Sequence, residues 1–150
     1  MKRQCEIREF FYNFLKCGVA GWCMEIIFTS FESIAARDLR LMGRTSLLMF
    51  PIYGMGALLG PIAKGIDRWL GEEQLTKKDK FWRHGIGDMV LIFCAEYVTG
   101  SFLKSRDMCP WDYSGHLFHV DGLIRLDFAP FWFVAGLFFE MLTERSSLHK

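Results

Sequence analysis

Two glutamates, Glu25 and Glu96, each interrupt a long apolar run. A charged side chain at the centre of a bilayer costs at least about 2.5–3.5 kcal/mol on insertion scales, so neither is expected to face lipid. Helical steps of three and four residues give each a setting. Gly18, Gly21, Glu25, Thr29 and Glu32 share one face of the first run, and Gly85, Asp88, Ile92, Glu96, Thr99 and Leu103 share one face of the third. The candidate binding residues are therefore Glu25, Thr29, Glu96 and Thr99. Inward-facing carboxylates of this kind can hold a cation, relay protons or bind a polar substrate. The plainer alternative is that both are protonated or hydrogen-bonded struts between helices. Glu32, Asp88 and Glu140 lie nearer the ends of their runs, where solvated surface positions are expected.

Four apolar stretches must position these residues, at about 10–31, 45–63, 85–103 and 126–142. The second carries no charge, and its length is close to the roughly 20 residues that cross a hydrocarbon core about 30 Å thick. The fourth reads FAPFWFVAGLFF without interruption. A soluble helical bundle would need a polar face on each helix, which these two lack. Trp69, Trp82 and Trp111 flank the stretches, where indole rings favour the headgroup level. Gly56-x-x-x-Gly60 in the second stretch allows close helix approach, and Gly136 lies one turn before Glu140 in the fourth. The expectation is an all-α polytopic membrane protein: a single integral domain over 1–150 with four transmembrane helices, a cytoplasmic loop at 64–84 and an external loop at 104–125.

Composition narrows the function. A chain of 150 residues has room for one domain and not for a separate ATPase module. The net charge of +1 gives no electrostatic reason for a nucleic-acid partner. Hydrophobic residues make up 51% before the 14 glycines are added, which excludes a disordered chain. Cys5, Cys17, Cys23, Cys94 and Cys109 form no CxxC pair, so neither a disulfide framework nor a zinc site is expected. No removable signal peptide is read at the charged start. With four spans, eleven basic residues fall on the side of the termini and the 64–84 loop, against six on the other. The positive-inside rule then puts both termini in the cytoplasm of a multi-pass cell-membrane protein.

The two halves resemble each other. Cys23-Met24-Glu25 matches Cys94-Ala95-Glu96 at an offset of 71, while Gly43 with Gly122 and Pro51 with Pro130 match at an offset of 79. Each unit is a helix carrying Glu, an external loop, and a helix entered near a proline. An even number of spans per unit implies parallel repeats about an axis along the membrane normal.

The 104–125 loop is rich in polar and aromatic residues. Pro110 restricts Cys109, Ser114-Gly115 suggests a turn, and Asp112 can bond nearby backbone. An interface-packed or re-entrant cap is expected, with a gating or catalytic surface as the alternative. Cys109, Asp112, His116, His119 and Asp121 include an HxxH pair, but Gly115 argues against the helix it would need, and no metal is expected. There is no phosphate-binding glycine loop, no GxSxG and no HExxH, so no catalytic residues are assigned and no enzyme is expected.

The block Cys109-Pro110-Trp111-Asp112-Tyr113-Ser114, followed by Gly122-Leu123-Ile124, resembles the signature of small bacterial membrane proteins labelled ABC-transporter permeases, the CmpB-like type IV group. It also resembles the transmembrane protein 229 family of animals. The segments Glu25 to Thr29, Phe50 to Gly54 and Glu96 to Gly100 are similar as well, so the likeness covers roughly residues 20–142. The resemblance implies a four-span transport component. Its expected partners are the lipid bilayer, a second copy or another membrane protein, and a separate ATPase subunit, with no cofactor of its own. A non-catalytic membrane scaffold or regulator is the alternative. An embedded enzyme acting on lipid headgroups through Asp112, His116 and Glu96 is the third.

Overall fold

Apolar runs broken by charge and proline become helices whose ends follow local chemistry rather than hydropathy. A computed structural model describes residues 2–35, 37–71 and 76–147. The elements run α1 (Lys2–Ala35), α2 (Met49–Gly54), a 3-10 turn (Met55–Leu58), α3 (Leu59–Trp69), α4 (Lys77–Lys104), β1 (His119–Val120), β2 (Ile124–Arg125), a second 3-10 turn (Leu126–Phe128) and α5 (Ala129–Ser147). The fold is all-α, and its only sheet among the described residues is the two-stranded antiparallel pair β1–β2, with Val120 opposite Ile124.

Among the described residues, three helical segments are long and apolar enough to cross a membrane: Arg3–Phe31, Lys77–Lys104 and Leu126–Glu144. At most 28% of any of their apolar windows is buried, so their surfaces are apolar while the carboxylates described below turn inward. That is the reverse of a water-soluble domain, and it is what a lipid solvent demands.

The charge-free stretch at 45–63 behaves differently from the uniform helix its composition suggests. Helix begins only at Met49, and the path is interrupted by the 3-10 turn. Pro51 and Pro61 each occupy the first turn of a helix, where a missing N–H leaves no bond unmade. Pro61 cannot donate to the Ala57 carbonyl, so the ladder tightens across 55–58 and restarts. The loop predicted at 64–84 is also shorter than its charge suggests. Residues up to Trp69 extend α3, and those from Lys77 open α4. There Thr76 is the N-cap: its hydroxyl accepts from the Asp79 N–H at 3.3 Å and donates to Asp79 Oδ2 at 2.5 Å.

The chain forms two compact units, Met1–Ala57 and Leu58–Lys150. In the first, α2 packs along α1. Gly18 and Gly21 make room for Phe50 and Tyr53, and Gly54 makes room for Phe14. Trp22 meets Phe50 edge-on at 4.8 Å between centroids, and its indole N–H donates to the Ser46 carbonyl at 3.0 Å. In the second unit α4 and α5 pack on each other, with α3 against both. Phe133 fills the space above Gly85, Gly136 lies against the Asp88 Cβ, and Trp132, Ala135 and Phe139 are buried.

The repeat seen in the sequence reappears as equivalent contacts. With the first helix shifted by 71 and the return segment by 79, Tyr53 corresponds to Trp132, and each lies by its unit's glutamate. The Phe14–Gly54 contact corresponds to Gly85–Phe133, with the large and small partners exchanged. Thr29 with Arg44 corresponds to Gly100 with Leu123.

Candidate functional site

Glu25 is half-buried and held. Thr45 Oγ1 donates to its Oε2 at 2.5 Å, and the Tyr53 side chain hydrogen-bonds to it as well. One turn on, the Thr29 hydroxyl accepts from the Arg44 N–H at 2.8 Å and lies within hydrogen-bond distance of the Glu25 carbonyl at 2.8 Å and the Arg44 carbonyl at 3.1 Å. Both residues tie α1 to the segment that returns along it. The Glu32 side chain, assigned to the same face, lies outside the described residues.

Glu96 sits in a different environment. It is 6% exposed, and Oε2 has no hydrogen-bond partner among the described residues. The Trp132 indole lies beside the carboxyl without completing a bond, so its Nε1 is unpaired too. Thr99 does not join them. Its hydroxyl bonds back to the Ala95 carbonyl of its own helix at 2.5 Å.

Two residues expected at solvated span ends are inside. Asp88 is 1% exposed, and neither carboxylate oxygen has a partner among the described residues. Glu140 is 12% exposed and contacts His84 Nδ1 through both oxygens, at 3.0 and 2.9 Å. The cause is packing: Gly136 lets α5 approach α4 at Asp88, which draws in the turn carrying Glu140. His84 is itself 7% exposed, and its Nε2 meets Asp67 Oδ2 at 2.9 Å. Arg83 pairs with Asp67 from the same turn of α4. Burial pushes the Asp67 carboxyl up, but the hydrogen bonds and charges of His84 and Arg83 outweigh it and hold the group below the usual carboxylate range. Asp67, Arg83 and His84 went unassigned as site residues because they fall in the charged 64–84 segment. The available signal was the four-residue step from His84 to Asp88, which continues the face that carries Glu96.

The loop motif holds the loop. The Cys109 thiol donates to the Trp111 carbonyl at 3.2 Å, and Trp111 Nε1 donates to the Leu123 carbonyl at 2.9 Å. The Trp111 ring lies over Gly100 of α4. Pro110 is exposed and completes the bend between Cys109 and Trp111. Asp112 Oδ1 accepts from the Ser114 N–H at 3.0 Å and hydroxyl at 2.6 Å; these bonds hold the carboxyl below its usual range. The Tyr113 N–H donates to the Gly122 carbonyl at 2.8 Å. Gly122 has φ +71°, and the Asp112 and Ser114 side chains fill the space a Cβ would need there, so glycine is required twice over. His119 Nδ1 accepts from the Gly122 N–H at 3.0 Å. The loop is thus a cap packed on the end of α4. Among the described residues, no group of three or more His, Cys, Asp and Glu side chains is arranged to hold a metal ion.

The sequence model of a protein family described as "Putative ABC-transporter type IV" matches residues 12–148. No solved structure matches the chain.

Proposed function

The chain belongs to this type IV ABC-transporter family, and from that premise we propose that it is a membrane-embedded transport component in which Glu96 handles a cation or a polar substrate. One observation carries the assignment to Glu96. A carboxyl group inside a long apolar helix is 6% exposed and keeps an oxygen without a partner among the described residues. Such a group destabilises the fold by about 1–3 kcal/mol or more unless something completes its bonds. A polar guest is a reason to keep it. In this reading Arg3–Phe31, Lys77–Lys104 and Leu126–Glu144 are three crossings, and the charge-free 45–63 stretch supplies the fourth. The excess of basic residues beside the termini and the 64–84 segment favours cytoplasmic termini. Membership of an ABC-transporter family supports a separate ATPase subunit as the source of energy, with the proton gradient as the alternative, and the component works beside a second copy or another membrane protein.

The test compares the ion and small-molecule content of cells lacking the protein with that of cells complemented by variants. Wild type restores the normal profile. Glu96→Gln fails to restore it while inserting at wild-type level, whereas Glu25→Gln restores it in proportion to the folded protein present. Full restoration by the Glu25→Gln, Glu96→Gln double variant would overturn the reading.

A scaffold or regulatory role has one observation in its favour: Glu25, bonded by Thr45 and Tyr53, is built as a strut. A lipid-headgroup enzyme using Asp112, His116 and Glu96 draws no such support, since Asp112 is committed to Ser114.

A further inference from the structure

A second buried polar assembly lies two turns along α4 from Glu96, about 12 Å at the helical rise. Asp67 comes from α3, Arg83, His84 and Asp88 from α4, and Glu140 from α5. The other polar groups of these helices near it are already engaged. Thr143 bonds the carbonyls of its own helix, and Lys64 pairs with Glu144 at 3.0 Å on the exposed rim.

Both imidazole nitrogens of His84 face carboxylates: Nδ1 meets Glu140 and Nε2 meets Asp67. A neutral imidazole has one N–H, so one nitrogen would turn its lone pair on a carboxylate. An imidazolium donates at both. With His84 charged, Arg83 and His84 balance Asp67 and Glu140. Asp88 is left over, with both oxygens unpartnered among the described residues and 1% of the residue exposed. A lone buried carboxylate is destabilising by several kcal/mol, and it neutralises instead.

We propose that Asp67, His84, Asp88 and Glu140 form a buried proton-binding site, in which His84 bridges two carboxylates as imidazolium and Asp88 carries a second proton. The site holds two protons per chain. Its neutral balance is broken when the Asp88 proton leaves, which couples helix packing at Gly136 to proton occupancy. This inference does not rest on transport, because its test reads the protons directly.

The test is infrared spectroscopy of the full chain in lipid nanodiscs at neutral pH. Aspartate is 13C-labelled so that Asp bands separate from Glu bands. Wild type shows one protonated-carboxyl stretch of labelled aspartate. Asp88→Asn, which mimics the neutral acid in shape, loses it, and Glu96→Gln retains it. In His84→Gln the charge balance of Asp67 and Glu140 fails, and an additional protonated-carboxyl stretch appears. The labelled wild type needs no substitution, so a folding defect in a variant leaves the outcome decided. Absence of a protonated aspartate in wild type overturns the proposal. So does an ionised Asp88 whose carboxylate bands shift on adding sodium or potassium, which would make this a metal-cation site.

Discussion

Tyr53 and Trp132 hold equivalent places in the two units, each beside a glutamate on the facing helix. In the first unit the tyrosine, with Thr45, bonds Glu25. In the second the Trp132 indole lies beside Glu96, but among the described residues nothing takes the place of Thr45 and Oε2 has no hydrogen-bond partner. The contrast extends along the helix. At the position equivalent to Asp88 the first unit has Cys17, fully buried and apolar, and at the position equivalent to Gly136 it has Ala57, 3% exposed. The same frame is therefore used once for cohesion and once to shelter acidic groups that packing alone does not satisfy. Unsatisfied buried groups are rare enough to need a reason; among the described residues the buried carboxylate oxygens without a partner belong to Asp88 and Glu96 of the second unit, while the first unit has Asn13 Oδ1.

The sharpest break of this comparison is to cut back the two aromatic side chains, one entirely and one by its hydroxyl. Trp132→Ala is expected to lower stability by about 3–5 kcal/mol, through the cavity left in a buried site. Tyr53→Phe removes only a hydroxyl and is expected to lower it by about 1 kcal/mol. Thermal denaturation in detergent measures both, and equal effects would erase the distinction between the units.

The exchanged Phe–Gly pairs give the next test. Gly85→Ala places a methyl against the Phe133 ring and is expected to destabilise by about 1–3 kcal/mol. Gly85→Phe combined with Phe133→Gly copies the arrangement of the first unit, and it should recover most of what Gly85→Phe alone loses. A double-mutant cycle with no coupling would mean that the two units do not share a frame.

The acids differ in a smaller way. Thr45→Val should lower stability by about 1 kcal/mol, because Glu25 loses a bond. Glu96→Gln should be neutral or nearly so, because it replaces a buried carboxyl that has an unpartnered oxygen with an uncharged group of the same shape. The order of the two melting temperatures decides it.

The loops differ least, and in salt and acid response. Asp38 is held below the usual carboxylate range by Arg40, which donates to it through Nε at 3.0 Å and Nη2 at 2.9 Å. Asp112 is held there by the neutral donors of Ser114. Since both are depressed in the folded chain, their contribution is present above the unfolded aspartate value of about 3.9 and is lost as pH falls through the lower folded value. Added salt should weaken the Asp38 contact and move Asp112 less, because the Ser114 donors rather than Lys104 and His119 dominate there. Carboxyl chemical shifts followed during acid titration at two salt concentrations test this.

Much of this was legible in the chain. The apolar runs mark α1, α4 and α5, and three- and four-residue steps put Gly18, Gly21, Glu25 and Thr29 on the packed face. What stayed hidden depends on neighbours. The prolines that break the 45–63 stretch look like ordinary members of an apolar run until the Ala57 carbonyl needs a donor. Asp88 and Glu140 look like span-end charges until Gly136 closes the gap between their helices. His84 sits beside a Lys-rich segment, and nothing in its flanks shows that Asp67 and Glu140 converge on it. Whether Glu25 or Glu96 is satisfied depends on which side chains the return segment brings to it, to which hydropathy is blind.

The reversed Phe–Gly contacts also bear on how the polypeptide is assembled in the bilayer. If α1 met α5, Phe14 would face Phe133 and the rings would collide; if α4 met α2, Gly85 would face Gly54 and leave a void. Two units built on the same frame and emerging one after the other are open to exchanging partners during insertion. Reversing which side carries the ring works as a key, so each newly made helix fits only its own mate.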